Sequence, residues 1–211
     1  MKYRQPCFAA SLMALVYFPG AEAKSQPDWF IAPYVGSSFA ATEMNATDSG
    51  SSTETKVKVA DTMNVGLILG VKTRDPGDIY LLYSHQASEL RRGDFFSPAK
   101  LTDLDLDYLH VGGSLYFPKG DLRPYVTASI GLTQMRPEGN YASETRFSMG
   151  FGLGAEYLLS DNFALFADAR GYATFLSSGK TLFCNANQCA WYIESDIMWQ
   201  GQVNAGIKFS F

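Results

Sequence analysis

From Arg146 to Tyr157 the chain alternates without a break. Phe147, Met149, Phe151, Leu153, Ala155 and Tyr157 share one parity, and Arg146, Ser148, Gly150, Gly152, Gly154 and Glu156 share the other. Successive side chains of a β-strand point to opposite faces, so this segment makes a strand with one oily face and one face of small or charged groups. A helix would scatter both sets around its circumference. The same period returns at the end of the chain. Trp199, Gly201, Val203, Ala205, Ile207, Phe209 and Phe211 oppose Gln200, Gln202, Asn204, Gly206, Lys208 and Ser210. From Met63 to Lys72, Met63, Val65, Leu67, Leu69 and Val71 oppose Asn64, Gly66, Ile68, Gly70 and Lys72. From Phe163 to Leu176, a face with Asp168, Arg170, Tyr172 and Thr174 opposes Leu165, Ala167, Ala169, Gly171 and Ala173.

Four further strands read from Trp29 to Phe39, Ile79 to Ser88, Thr102 to Phe117 and Arg123 to Met135, giving eight in all. The third of these is ambiguous. Asp103, Asp105 and Asp107 alternate with Leu104 and Leu106, and the aspartate face continues into Leu109, Val111 and Leu115. Either a bulge near Tyr108 switches the faces, or the strand projects beyond a membrane, where outward aspartates form a solvated acidic end.

Composition narrows the setting. Only 18% of residues are charged and 14% are aromatic, with 19 glycines, against about 25% charged in ordinary soluble domains. A net charge of -4 argues against nucleic acid as partner. No apolar run reaches the roughly 18 residues of a membrane-spanning helix. The chain is therefore a soluble β-protein or a membrane barrel. The connections decide. Short ones at Thr73 to Asp78, Pro118 to Leu122 and Ser160 to Asn162 alternate with long polar ones near Ala40 to Lys58, Glu89 to Leu101, Arg136 to Glu144 and Ser177 to Asp196. That alternation, with strands long enough for a tilted crossing, is the pattern of an outer-membrane barrel with short periplasmic turns and long extracellular loops. Aromatics fall into two belts at the expected interfaces, Trp29, Tyr157, Phe209 and Phe211 at one and Trp199 at the other. A soluble sandwich would leave the glycine-rich polar faces exposed.

The N-terminus reads as an export signal over 1–23. Lys2 and Arg4 precede an apolar stretch from Phe8 to Phe18, then Pro19-Gly20 and the cleavage-like Ala21-Glu22-Ala23. The barrel domain then spans 24–211. Cys7 leaves with the signal, and Cys184 and Cys189 remain as a close pair in an exported chain, which reads as a disulfide.

With these features the chain resembles the small OmpA/OmpX-type outer-membrane β-barrel proteins (a porin-like outer membrane protein β-barrel domain) over its whole mature length. The resemblance rests on Trp29-Phe30-Ile31-Ala32-Pro33-Tyr34-Val35-Gly36, on Pro124-Tyr125-Val126-Thr127-Ala128-Ser129-Ile130-Gly131 and on Asn204-Ala205-Gly206-Ile207-Lys208-Phe209-Ser210-Phe211. It implies an all-β fold, an eight-stranded antiparallel transmembrane β-barrel in up-and-down meander order, in a Gram-negative outer membrane. It also implies a terminal Phe211 that the barrel-assembly machinery reads. Such barrels include adhesins, stress-induced proteins, narrow channels and a few lipid-modifying enzymes, so architecture alone does not give the activity.

An eight-stranded barrel is just wide enough to be filled by its own side chains. A turn centred on Asp161 sets Gly154 opposite Asp168, Gly152 opposite Arg170 and Gly150 opposite Tyr172, small against large. Inward Arg146, Glu156, Asp168, Arg170 and Lys208, with Lys72 near an end, then form one polar network in the lumen. A proton or small-ion path is the functional reading of such a network; a satisfied polar plug is the structural one, and it suits so narrow a barrel.

Enzyme signatures are thin. Ser84 and His85 are adjacent and so on opposite faces, His110 has only Ser114 at matching parity on its own strand, and no phosphate loop, metal cluster or cofactor motif is present. The expectation is no catalysis and no cofactor. Specificity falls to the loops. The first, from Thr42 to Thr55, reads as mobile. The second offers Arg91 and Arg92 to lipopolysaccharide phosphates and Phe95 and Phe96 to the interface. The sequence reading is a monomeric barrel with a plugged polar lumen, in contact with outer-membrane lipids and lipopolysaccharide and acting in a structural or surface-interaction role. A narrow channel for small or amphipathic solutes is the alternative.

Overall fold

The computed structural model describes residues 28–40, 44–48, 54–59, 61–74, 76–92, 99–137, 143–176, 181–184, 189–193 and 197–211. The proposed signal segment lies outside them. Every element among the described residues is a strand. Eight form the wall: β1 (Trp29–Ala40), β4 (Thr62–Lys72), β5 (Gly77–Arg92), β6 (Ala99–Tyr116), β7 (Leu122–Pro137), β8 (Glu144–Leu158), β9 (Phe163–Phe175) and β12 (Ile197–Ser210). Each is antiparallel to its neighbours in an up-and-down order, and β1 pairs with β12 to close the barrel. Closure removes every edge from the wall. Trp29 and Phe211 complete the seam, exchanging backbone hydrogen bonds of 3.2 and 2.9 Å.

The turns follow from their residues. Gly120 sits at φ 62° between Lys119 and Leu122, which bond each other across the turn. Only glycine adopts that backbone at no cost. Asp161 and Asn162 make the corresponding turn between Ser160 and Phe163, and the pairing that follows sets Gly154 opposite Asp168, Gly152 opposite Arg170 and Gly150 opposite Tyr172.

The alternation sorts the two faces. Val65, Leu81, Val111, Ile130, Met149, Phe151, Leu153, Val203 and Ile207 all point outwards and are exposed to the surroundings. Asn64, Ser84, Thr133, Ser148, Thr174, Gln202 and Asn204 are buried inside. The molecule is thus inverted, apolar outside and polar within, as a wall facing hydrocarbon requires.

The ambiguous strand resolves towards projection. The β6–β7 register runs unbroken from Leu104↔Pro137 to Tyr116↔Tyr125, so no bulge switches the faces at Tyr108. Leu104, Leu106, Tyr108 and His110 all point inwards. β6 has 18 residues where about 10 cross the bilayer, and its acidic end lies beyond the apolar band. One part of the expectation needs correction. Asp107 is not simply solvated: it accepts hydrogen bonds from Tyr83 Oη at 2.8 Å and from Arg136, and lies 2.8 Å from His85 Nδ1.

Two of the outer connections, read from the sequence as long polar loops, carry strands of their own. β2 (Met44–Asp48) and β3 (Glu54–Val59) pair with each other inside the first connection, and β10 (Thr181–Cys184) and β11 (Cys189–Ile193) pair inside the last. β11 joins β2, and β3 joins the end of β5, so both connections extend the sheet beyond the barrel.

Candidate functional site

The lumen holds the densest chemistry among the described residues, in three levels. The lowest lies near the short turns. Lys208 Nζ on β12 donates to Glu156 Oε2 on β8 at 3.0 Å, Asp78 Oδ2 on β5 at 3.2 Å and Tyr116 Oη on β6 at 2.9 Å. It also stands 4.0 Å from the centre of the Phe30 ring. Tyr116 Oη donates to Asp78 Oδ2 at 2.7 Å, and the Ser114 backbone N–H to Asp78 Oδ1 at 3.1 Å. An ammonium removed from water needs this many partners.

The middle level centres on Asp168. Arg170 contacts its Oδ2 with Nε and a terminal nitrogen, each at 2.8 Å. Tyr125 Oη donates to the same oxygen at 3.0 Å, and Asn204 Nδ2 to Oδ1 at 2.9 Å. Arg170 also donates to Tyr80 Oη at 3.2 Å. Asn204 in turn accepts from Asn64 Nδ2 at 2.8 Å, and Ser38 donates to Asn64 at 3.1 Å. Gly154 makes room for Asp168: a Cβ there would lie 2.6 Å from the aspartate's own Cβ.

The upper level spans the bore with aromatic rings. Tyr108 and Tyr172 stack at 4.5 Å between ring centres, and His110 meets Tyr172 edge-on at 5.2 Å. Tyr108 Oη bonds Gln200. His110 lies 3.0 Å from Ser129 Oγ through Nδ1 and 2.8 Å from Ser148 Oγ through Nε2, and Thr133 links Ser148 to Thr174 at 2.8 and 3.1 Å. Gln202 bonds Ser84 and Gln86 at 3.4 and 3.3 Å. Tyr108, Tyr172, His110, Gln86 and Gln202 are all less than 2% exposed.

The charged groups of the expected network fall into two ion-paired sets, and the middle and upper levels are joined where Asn64 Nδ2 donates to Gln202 Oε1 at 3.5 Å. Glu156 and Lys208 meet in the lowest level, and Asp168 and Arg170 in the middle one. Arg146 joins neither pair. It bonds Glu144 near the outer end, ten residues from Glu156 along β8, which is about 33 Å at strand rise. Alternation placed Arg146 on the inner face but could not fix its height. Asp78, Tyr80, Tyr116 and Tyr125 escaped the sequence reading. Asp78 is the second residue of β5, where it read as the end of a short connection. Asp78 does share parity with Tyr80 and Ser84, a signal that could have found it.

Trp29 and Tyr157 at the turn end and Trp199 at the other point outwards, Phe211 is 75% exposed, and Phe209 packs against Phe163 at 4.9 Å. Cys184 and Cys189 are Cα partners between β10 and β11; their side chains lie outside the described residues. Arg91 and Arg92 stand at the end of β5, in register with Lys58 and Val57, so they belong to a strand extension and not to a loop. Phe95 and Phe96 lie outside the described residues.

Comparison with known proteins agrees with this geometry. The model of the outer membrane protein beta-barrel domain matches residues 9–211. The structure is similar to that of outer membrane protein OprG from Pseudomonas aeruginosa, with a TM-score of 0.63 and 13% identity over 88% of this chain and 96% of that one. It is also similar to Neisserial surface protein A, with a TM-score of 0.57 and 15% identity over 87% of this chain and 97% of that one. At such identities the likeness concerns the fold alone. No curated protein matches the sequence.

Proposed function

The chain belongs to the outer membrane protein β-barrel domain family, and we propose that it serves there as a closed barrel whose role is structural or interactive, exercised through its outer end. The observation that carries this reading is the upper level of the lumen, where Tyr108, Tyr172 and His110 meet and Gln200 bonds Tyr108. A filled bore leaves the strand extensions and connections as the working surface. Its partners are outer-membrane lipids and lipopolysaccharide, with Arg91 and Arg92 as phosphate contacts. Phe211 serves the barrel-assembly machinery, and the chain works as a monomer after export.

Catalysis forms no part of the reading. Both nitrogens of His110 are engaged by serine hydroxyls inside the closed core, and no carboxylate bonds it among the described residues, so nothing orients it as a base towards a substrate. The mature chain, 24–211, refolded into a planar bilayer, is expected to be electrically silent. Discrete conductance would overturn the closed reading in favour of a narrow channel, which a turn-side cavity of about 180 Å³ would then feed.

A further inference from the structure

At the turn end the lumen widens into a vestibule of about 180 Å³, lined by Lys72, Arg123 and Lys208 together with Glu156, Tyr116 and Thr73. Its roof is the lowest level of the polar column. There Lys208 is already shared between Asp78 and Glu156, so the roof alone carries two carboxylates against one ammonium. Lys72 and Arg123 reverse that balance, so that the described charges of roof and lining, Asp78 and Glu156 against Lys208, Lys72 and Arg123, sum to one net positive. Neither makes an ion pair among the described residues. Arg123 is the Cα partner of Glu156, yet the carboxylate is committed to Lys208. The Arg123 Nε–H is buried with no hydrogen-bond partner. A buried donor is normally satisfied, and an exception asks for an explanation.

We propose that this mouth is an oxyanion site, in which Arg123 and Lys72 bind a phosphate group presented from the periplasmic side. A guanidinium fork and a mobile ammonium reaching one space suit a tetrahedral oxyanion, whose several oxygens bridge both donors. Its charge offsets the excess of the mouth, and the vestibule has room for the group with part of its water. The roof backs the site with a braced carboxylate, because Asp78 accepts hydrogen bonds from Tyr116 and from the Ser114 backbone. The phosphate is either that of a soluble molecule or that of a lipid headgroup folded into the mouth.

The test uses the mature chain in phosphatidylcholine nanodiscs, titrated with inorganic phosphate while arginine Nε–H resonances are followed by NMR. One resonance is expected to shift saturably, to be missing in Arg123→Gln, and to titrate about tenfold more weakly in Lys72→Gln. Heat-modified gel mobility reports that each variant is folded, and Lys72→Gln alone carries the test if Arg123→Gln does not fold. No shift, or an equal shift with chloride at matched ionic strength, overturns the site, since chloride reproduces only screening. A second arm places phosphatidylglycerol in the discs without free phosphate. The same resonance shifting there identifies a headgroup as the source, and a shift with free phosphate alone identifies a solute.

Discussion

Tyr108 on β6 and Tyr172 on β9 stack across the lumen with ring centres 4.5 Å apart and planes inclined by 30°. They come from strands that are not neighbours in the wall, so their contact spans the bore. Removing both rings, as Tyr108→Ala with Tyr172→Ala, takes out the largest side chains of the upper level. The double variant is expected to pass ions in a planar bilayer where the parent is silent. A silent double variant that keeps its heat-modified mobility would show that the lower levels suffice to close the lumen.

Arg170 is the partner that makes a buried Asp168 tolerable. Arg170→Ala leaves the carboxylate with Tyr125 and Asn204 alone, and is expected to destabilise the barrel by about 3–5 kcal/mol without opening a pore. Asp168→Asn combined with Arg170→Met should recover part of the loss, because no charge then remains unpaired. Urea unfolding followed by tryptophan fluorescence in detergent micelles measures both, and a double variant weaker than Arg170→Ala would refute the ion-pair account.

Gly154 faces Asp168, and a Cβ there would also stand 2.8 Å from Tyr125 Cζ. Gly154→Leu is expected to cost about 1–3 kcal/mol or more through overpacking, lowering the folded fraction on a heat-modification gel. Ala167→Leu, whose side chain points outwards, should change stability by no more than about 0.5 kcal/mol.

Cys184 and Cys189 are cross-strand Cα partners, and the exported protein is expected to carry them as a disulfide. Alkylation of the unreduced chain followed by mass spectrometry should find no free thiol. Cys184→Ser with Cys189→Ser should leave barrel unfolding within about 0.5 kcal/mol of the parent, since so short a closure lies outside the wall.

Asp107 gathers Tyr83, His85 and Arg136 on the outer surface where β5, β6 and β7 leave the apolar band. Asp107→Ala is expected to cost about 1 kcal/mol, because its partners remain partly exposed. The same urea titration measures it.

Much of this was legible in the residues. Alternation gave the strands, their faces and the inward set, because the pleat repeats every two residues. A tight turn at Asp161 was enough to pair Gly154 with Asp168, since antiparallel neighbours share a register counted from their turn. The acidic end of β6 was harder. Both parities of Asp103 to Leu106 carry plausible inward residues, and only the unbroken register with β7 separated projection from a bulge.

The sequence by itself determined the period, the inverted faces, the eight strands of the wall and the short turns, all properties of a chain and its nearest neighbours; it missed the four strands of the outer connections. The tertiary structure decided who meets across the bore: Lys208 with Asp78 and Tyr116, Arg170 with Tyr80, Tyr108 with Tyr172, and Arg146 with none of the lower groups. Those meetings depend on the tilt and stagger at which the strands close, which fix the height of each inward side chain. That quantity belongs to the whole ring of hydrogen bonds and is written in no single strand.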